Sequence, residues 1–133
     1  MKSSFLEIKI YYEDTDAGGV VYYANYLKYF ERARTEYMRE NGINVAELAS
    51  KGTQFVVAQA AVEYRSSAVL GDLLAVETRV SEIGKVSFWF EYEIKRKSDG
   101  KLLVTGRTKL ACVDSTGRVI RLPSFIKEIS TKN

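Results

Sequence analysis

Hydrophobic and polar residues alternate with a period of two over most of this chain, a pattern typical of strands with one buried face. The alternation predicts strands over the following five ranges: Phe5–Tyr12, Thr53–Tyr64, Leu73–Ile83, Val86–Lys95 and Leu102–Val113. The second range is rich in Val, Ala and Phe, so we predict that this strand is well buried. Ser98-Asp99-Gly100 separates the last two ranges and predicts a hairpin turn.

Between the first two strands the apolar period changes to three or four residues, which predicts a helix from about residue 23 to Glu40. Its predicted apolar stripe contains Leu27, Phe30, Ala33 or Arg34, Tyr37 and Met38. Asn44 predicts the N-cap of a shorter helix over Val45–Lys51. Pro123 predicts the entry to a final helix over Phe125–Ile129.

One long amphipathic helix followed by consecutive strands indicates a layered fold, because the apolar helix stripe needs a surface to bury against. We therefore predict a single α+β domain over residues 1–133, with an antiparallel sheet of five to six strands wrapped around the long helix. Long strands with open edges tend to pair with another chain. A symmetric homodimer formed by edge-to-edge pairing is therefore expected.

The composition narrows the possible chemistry. The chain has no histidine, which removes imidazole as an acid, base or metal ligand. Its one cysteine, Cys112, has no partner for an intramolecular disulfide, so we predict a reducing, cytoplasmic location. Cys112 also has no partner for a zinc cluster, and we predict neither a metal nor a cofactor. The net charge of +3 does not argue for nucleic acid. No apolar run predicts a signal peptide or a membrane span.

The strongest candidate for chemistry is Asp16, which lies in an acidic glycine turn seven residues before Tyr23, near the predicted helix start. A carboxylate can attack a carbonyl or activate water, and the unpaired amides of a helix N-terminus can stabilise the resulting oxyanion. Gly18 and Gly19 permit a close approach of the backbone to a ligand. Acidic glycine turns are also common as plain turns, so the same residues fit a purely structural role for Asp14 and Asp16.

The same segment resembles a known family. The matching residues are Asp16-Ala17-Gly18-Gly19-Val20-Val21-Tyr22, then Asn25-Tyr26 and Phe30-Glu31-Arg32-Ala33-Arg34, with weaker matches at Val62-Glu63-Tyr64, Gly71-Asp72, Cys112-Val113-Asp114 and Leu122-Pro123. They are similar to the hotdog-fold acyl-CoA thioesterases of the YbgC type, which are often found with the Tol–Pal system. The related 4-hydroxybenzoyl-CoA thioesterases resemble the chain as well.

This resemblance implies hydrolysis of acyl-CoA, with acyl groups on acyl carrier protein as an alternative substrate. It also implies a site in a dimer interface, with dimers pairing into a homotetramer. It implies that Asp16 is the catalytic carboxylate, as nucleophile or as general base. The backbone N–H of Tyr23 would polarise the thioester carbonyl, and Tyr12 would line the site and orient the aspartate. The implied substrate-binding residues are Gly18, Gly19, Val20, Tyr22 and Arg65, the last through the CoA phosphates.

The chain departs from the family pattern at two places. Tyr23 stands where YbgC-type sequences usually carry histidine, and Ser66-Ser67-Ala68 stands where relatives commonly have a proline. A non-catalytic scaffold that docks on lipid-synthesis or envelope proteins is therefore an alternative. A hotdog dehydratase is disfavoured because such enzymes normally use histidine. Weaker candidates, expected to be surface charges or core residues, are Glu31, Lys85, Arg96, Lys97, Cys112 and the stripe Phe88, Phe90 and Tyr92.

Overall fold

In this computed structural model, which describes residues 3–131 and the side chains as far as residue 129, a five-stranded antiparallel sheet curves around one long helix. The strands are β1 (Ser4–Lys9), β2 (Gln54–Tyr64), β3 (Leu73–Ser81), β4 (Ser87–Arg96) and β5 (Leu102–Val113), and their order in the sheet is β1-β3-β4-β5-β2. The helices are α1 (Asn25–Glu40), α2 (Val45–Ser50) and α3 (Ser124–Thr131). The predicted α+β architecture is therefore confirmed.

The long helix α1 turns an aromatic face toward the sheet. Its buried residues are Tyr26, Tyr29, Phe30, Ala33, Tyr37 and Met38. The rings of Phe30 and Tyr92 stack with their centroids 4.2 Å apart, which joins α1 to β4, the middle strand of the sheet. The prediction that Leu27 belongs to this stripe is wrong, since 41% of its surface is exposed. Leu27 lies on the flank of α1, where the tyrosines have taken the central positions.

Strand β2 occupies one edge of the sheet and is paired only with β5. We expected a well-buried strand here, and that expectation is wrong for the single chain. Nine of its eleven residues are exposed, including Val56 at 42% and Val57 at 48%. The cause is its place in the sheet, because α1 packs chiefly against β1 and β3 at the opposite side.

The other boundaries follow the sequence closely, with one difference that matters for the site. Strand β1 ends at Lys9 rather than at Tyr12, because residues 12–14 form a single 3₁₀ turn. The Asp14 carboxylate accepts the Tyr11 N–H at 2.8 Å and closes this turn. Asn44 caps α2 as predicted, with its side chain accepting the Glu47 N–H at 3.1 Å.

The inward side chains of β4 complete the core. Phe88, Phe90 and Tyr92 are at most 1% exposed, which confirms that this aromatic stripe is core. Cys112 is fully buried beside them on β5, and burial raises the pKa of its thiol. Within residues 3–131, no helix is long and apolar enough to span a membrane.

Gly106 on β5 lies directly under Phe30, and a Cβ at this position would overlap Cε2 and Cζ of that ring. In a strand without such a neighbour, Gly→Ala stabilises by about 0.5–1 kcal/mol. Here we expect Gly106→Ala to destabilise by about 1–3 kcal/mol, because overpacking displaces the ring or the strand. The free energy of unfolding in urea measures the change. In a Phe30→Leu background the same substitution should cost less, and a Gly106→Ala protein at least as stable as the wild type would contradict the packing.

Candidate active site

The segment between β1 and α1 folds back on itself as a tight loop. Thr15 and Val21 form an isolated antiparallel bridge across its base. Inside the loop, the Asp16 N–H donates to the Val20 carbonyl at 2.9 Å, and the Gly19 N–H donates to the Asp16 carbonyl at 3.0 Å. Gly19 has φ +81°, a left-handed conformation that glycine adopts without steric cost. The sequence Asp-Ala-Gly-Gly thus closes a loop that holds Asp16 at its start.

The Asp16 carboxylate has a structural and a free oxygen. Oδ1 accepts the Gly18 N–H at 2.8 Å, which is the local hydrogen bond expected of an aspartate in a turn. Oδ2 accepts no hydrogen bond from any residue between 3 and 131, and the side chain is exposed. The two interpretations of Asp16 are therefore compatible, because one oxygen orients the carboxylate while the other stays available to a ligand or water.

The start of α1 lies next to this loop and leaves backbone donors unused. The first helical N–H groups bond backward, since Asn25 donates to the Tyr22 carbonyl at 2.9 Å and Tyr26 donates to the Tyr23 carbonyl at 3.4 Å. The N–H groups of Tyr23 and Ala24 donate to no other group in the described part of the chain. Unpaired amides at a helix N-terminus carry partial positive charge and favour an anionic ligand.

A cleft of about 340 Å³ brings the carboxylate and the helix start together. It is lined by Asp16, Val20, Val21, Tyr23, Tyr26, Tyr64, Arg65, Ser66 and Ser67. Two larger cavities lie elsewhere, one of about 370 Å³ between α1, α2 and β2 and one of about 600 Å³ between α1 and β1. Neither is lined by Asp16 or Tyr23, so we assign the candidate site to the smaller cleft.

Tyrosines form one wall of this cleft. The Tyr64 hydroxyl donates to the Tyr23 carbonyl at 3.2 Å, and the two rings meet edge to face with centroids 6.2 Å apart. The Ala68 N–H donates to the buried Tyr26 hydroxyl at 3.2 Å, which ties the loop after β2 to α1. Burial raises the pKa of Tyr26 and of Tyr64. Both phenols therefore stay protonated and neutral at physiological pH.

The structure brings four of the predicted site residues into the cleft: Asp16, Val20, Tyr23 and Arg65. Gly18 and Gly19 shape the adjoining loop. Tyr22 is exposed, with its ring centroid 4.9 Å from that of Tyr23, and the neighbouring Tyr23 phenol raises the pKa of Tyr22. Tyr12 is 80% exposed and does not line the cleft. Its predicted role stays a prediction.

The basic candidates differ in how many ion pairs and hydrogen bonds their side chains already make. Arg65 lines the cleft and makes one long ion pair, at 3.3 Å to Glu63, with more than half of its side chain exposed. Arg96 is instead held by Asp72, Asp99 and the Ser67 carbonyl. Of these two, Arg65 is the one available to a phosphate.

Val21, Tyr26 and Tyr64 also line the cleft, although the sequence indicates them only as parts of the matching motifs. Ser66 and Ser67 line it as well, in the loop where the chain departs from the family pattern. The sequence does not indicate that Tyr64 lies at the site, because Tyr64 ends β2 and is 41 residues from its hydrogen-bond partner Tyr23. Glu31, the other helix carboxylate that we considered, lines both of the larger cavities and accepts the Thr35 hydroxyl at 2.8 Å.

Comparison with known proteins adds independent information. A family model described as the thioesterase-like superfamily matches residues 11–129. The acyl-CoA thioesterase YbgC of Haemophilus influenzae is 47% identical over 108 residues, which cover 80% of this chain and 78% of that protein. The acyl-CoA thioesterase YbgC of Helicobacter pylori is 42% identical over 132 residues, covering 93% of this chain and 97% of its own.

A solved structure extends the similarity to three dimensions. The DHNA-CoA thioesterase of Staphylococcus aureus superposes with a TM-score of 0.89 at 32% identity, over 96% of this chain and 86% of that chain. The predicted hotdog fold is thereby confirmed.

The positive φ of Gly19 yields a stability prediction for the loop. Gly19→Ala should destabilise the protein by about 1–2 kcal/mol, since a Cβ disfavours the left-handed conformation. Gly19→Asn should cost less, because asparagine tolerates that conformation better than alanine. Urea denaturation of the three proteins measures this order. Equal stabilities for the alanine and asparagine variants would contradict a conformational cause.

Proposed function

The chain belongs to the thioesterase-like superfamily, whose family model spans residues 11–129, and we propose that it hydrolyses acyl-CoA thioesters in the cleft that contains Asp16. It is a thioester hydrolase of the YbgC group, with relatives at 47% and 42% identity that carry the name acyl-CoA thioesterase. The single observation that carries the proposed site is an Asp16 carboxylate oxygen that has no hydrogen-bond partner among the described residues and lies in the same cleft as Tyr23 at the start of α1.

In the reaction that we propose, Asp16 supplies the attack on the thioester carbonyl. As a general base it takes a proton from water while the water oxygen bonds to the carbonyl carbon. As a nucleophile it bonds to that carbon itself, and water then hydrolyses the anhydride. Either route ends with the C–S bond broken, a free acid released, and the CoA sulfur receiving a proton. The bond from Gly18 to Oδ1 supports both, because it leaves Oδ2 oriented and free.

The unused amides at the helix start are the proposed oxyanion donors. As the carbonyl becomes tetrahedral, negative charge develops on its oxygen, and the N–H groups of Tyr23 and Ala24 are available to receive it. A donor of this kind is worth about 10²–10³ in rate. The Tyr23 phenol is not needed for this contribution. A backbone donor survives the exchange of histidine for tyrosine, because it does not depend on the side chain.

The remaining substrate contacts are also proposals. Arg65 would bind a CoA phosphate at the mouth of the cleft, since its guanidinium is more than half exposed. Tyr12 would contact the substrate from outside the cleft. Acyl carrier protein is a further possible acyl donor, because it presents the same phosphopantetheine thioester as CoA. A cytoplasmic location fits the single, fully buried cysteine.

The alternative is a scaffold without activity that docks on lipid-synthesis or envelope proteins, including those of the Tol–Pal system. The missing histidine favours it. The intact Asp16 loop and the free amides oppose it, because a scaffold has no use for either. Turnover of a thioester decides between the two.

We expect purified protein to hydrolyse members of an acyl-CoA panel and Asp16→Asn to lower kcat by about 10²–10⁴-fold, the usual contribution of a positioned base. Thiol release, followed with a chromogenic disulfide, measures both. Glu31→Gln is the matched control, since it neutralises a helix carboxylate outside the cleft and should keep kcat within about twofold. Full activity of Asp16→Asn would remove Asp16 from the mechanism, and a folded protein inert toward the whole panel would support the scaffold.

We also propose that two copies pair through β2, and that two such dimers can associate into a tetramer. The outer edge of β2 has no neighbour in the sheet, and its exposed side chains are largely apolar. An open apolar edge of this length is an aggregation hazard unless another strand covers it. An antiparallel β2–β2 pair would extend the sheet through both chains. Because β2 ends at Tyr64 in the cleft wall, the partner chain would lie close to the site.

The expected mass in solution is therefore at least twice the 15.1 kDa of one chain. Val57→Lys should lower the dimer population, since it introduces a charge into the apolar edge, while Ser98→Lys, in an exposed hairpin turn, should leave assembly unchanged. Light scattering after size exclusion measures the masses. A wild-type protein that remains at 15.1 kDa at micromolar concentration would exclude this pairing.

A further inference from the structure

Asp14, two residues before Asp16, joins three parts of the chain by accepting four hydrogen bonds. Its carboxylate accepts the Tyr29 hydroxyl on Oδ1 and the Tyr11 N–H on Oδ2, each at 2.8 Å. Its backbone carbonyl accepts the Asn25 side chain at 2.9 Å and the Tyr22 N–H at 3.0 Å. One residue thus links the chain before the loop, the chain after it, and the first two turns of α1.

The partner of Asp14 on the helix is itself rigidly held. Tyr29 is 1% exposed and meets the Tyr26 ring edge to face, with centroids 5.8 Å apart. Burial and the Asp14 carboxylate both raise the pKa of Tyr29, so its hydroxyl remains a donor throughout the physiological range. A fixed phenol that always donates to a half-buried carboxylate is a permanent anchor point between the helix and the loop.

The hydrogen bonds inside the loop do not provide this anchor. The bonds from Asp16 to Val20 and from Gly19 to Asp16 set the shape of the loop alone. A second attachment runs through the Val21 N–H to the Ala68 carbonyl at 2.9 Å and ties the far side of the loop to the segment after β2. On the near side, the position of the loop relative to the helix start depends on Asp14.

We propose that Asp14, acting through Tyr29, is a positioning residue that fixes the Asp16 carboxylate relative to the amides at the start of α1. This inference rests on the proposed function, since it assigns Asp14 a part in the same reaction. Asp14 lines the larger cavity between α1 and β1 and does not line the cleft, so in this proposal it acts without contacting the substrate. Its effect comes from geometry, because a displacement of about 1 Å between reacting groups can cost about 10²-fold in rate.

Tyr29→Phe is the main test, since it removes only the hydroxyl and keeps the buried ring. We expect kcat to fall by about tenfold or more while KM stays within about twofold, because the lost contact misplaces the carboxylate without touching the substrate. Tyr37→Phe is the matched control, as it removes another buried phenol from the same helix, away from the loop. Its thermal stability should fall by a comparable amount and its kcat should remain that of the wild type.

A double-mutant cycle with Asp14→Ala shows whether the two side chains act as one unit. We expect the double variant to lose no more kcat than the worse single variant, because each change removes the hydrogen bond between Tyr29 and the Asp14 carboxylate. Fully additive losses would overturn the coupling. If Asp14→Ala does not fold, the comparison of Tyr29→Phe with Tyr37→Phe still decides, and equal kcat for those two proteins would overturn the proposal.

A second measurement keeps this inference separate from the proposed activity. Hydrogen exchange of the Asp16 and Gly19 amides should be at least severalfold faster in Tyr29→Phe than in wild type or Tyr37→Phe, since both amides bond within the loop. If the wild-type protein is inert toward all thioesters but this exchange pattern is observed, the proposed function is wrong and the structural role of the Asp14–Tyr29 hydrogen bond stands. If the enzyme is active and Tyr29→Phe changes neither exchange nor kcat, only the role of that hydrogen bond is wrong.

Discussion

The ring of Phe30 lies flat on Tyr92 and directly above Gly106, and this contact sets how closely α1 approaches the sheet. A larger residue at Gly106 would lift the helix, and a smaller one at Phe30 would leave a void, so the helix has one well-packed position. The position of the helix start depends on this contact, because Phe30 lies only five residues after Asn25, the first residue of α1. The contact therefore also sets where the amides at the helix start lie at the edge of the cleft.

In the proposed mechanism two kinds of chemical group act in the cleft. The backbone N–H groups of Tyr23 and Ala24 are the proposed donors, and the Asp16 side chain is the proposed carboxylate. Backbone donors depend on the course of the chain rather than on residue type. The proposed oxyanion contribution is therefore compatible with tyrosine at position 23. The phenols of Tyr26 and Tyr64 line the cleft beside Asp16 and Tyr23, and because burial raises their pKa they stay protonated and uncharged.

Most of the architecture could be predicted from the sequence, and four of the predicted site residues line the candidate cleft. The two periodicities identify the strands and α1, and the Asp-Ala-Gly-Gly loop is marked by its acidic glycine sequence just before the long helix. Periodicity reports which face of a strand is apolar, but not whether the strand is at an edge, which is why the burial of β2 was predicted wrongly. Periodicity also locates the apolar stripe of a helix only to within one residue. For this reason Leu27 was predicted to be buried, whereas it is exposed. Contacts such as Asp14 with Tyr29 require the folded chain, since neither residue alone signals the other.

The buried state of Cys112 has a consequence for an enzyme whose product is a thiol. CoA released in the cleft is a reactive sulfur compound, and an accessible protein thiolate could capture it as a mixed disulfide or take the acyl group from the next thioester. Cys112 is the one cysteine of the chain, lies wholly inside β5, and is kept in its uncharged form by burial. The folded protein therefore presents no cysteine thiolate of its own to the thioester or to the released thiol.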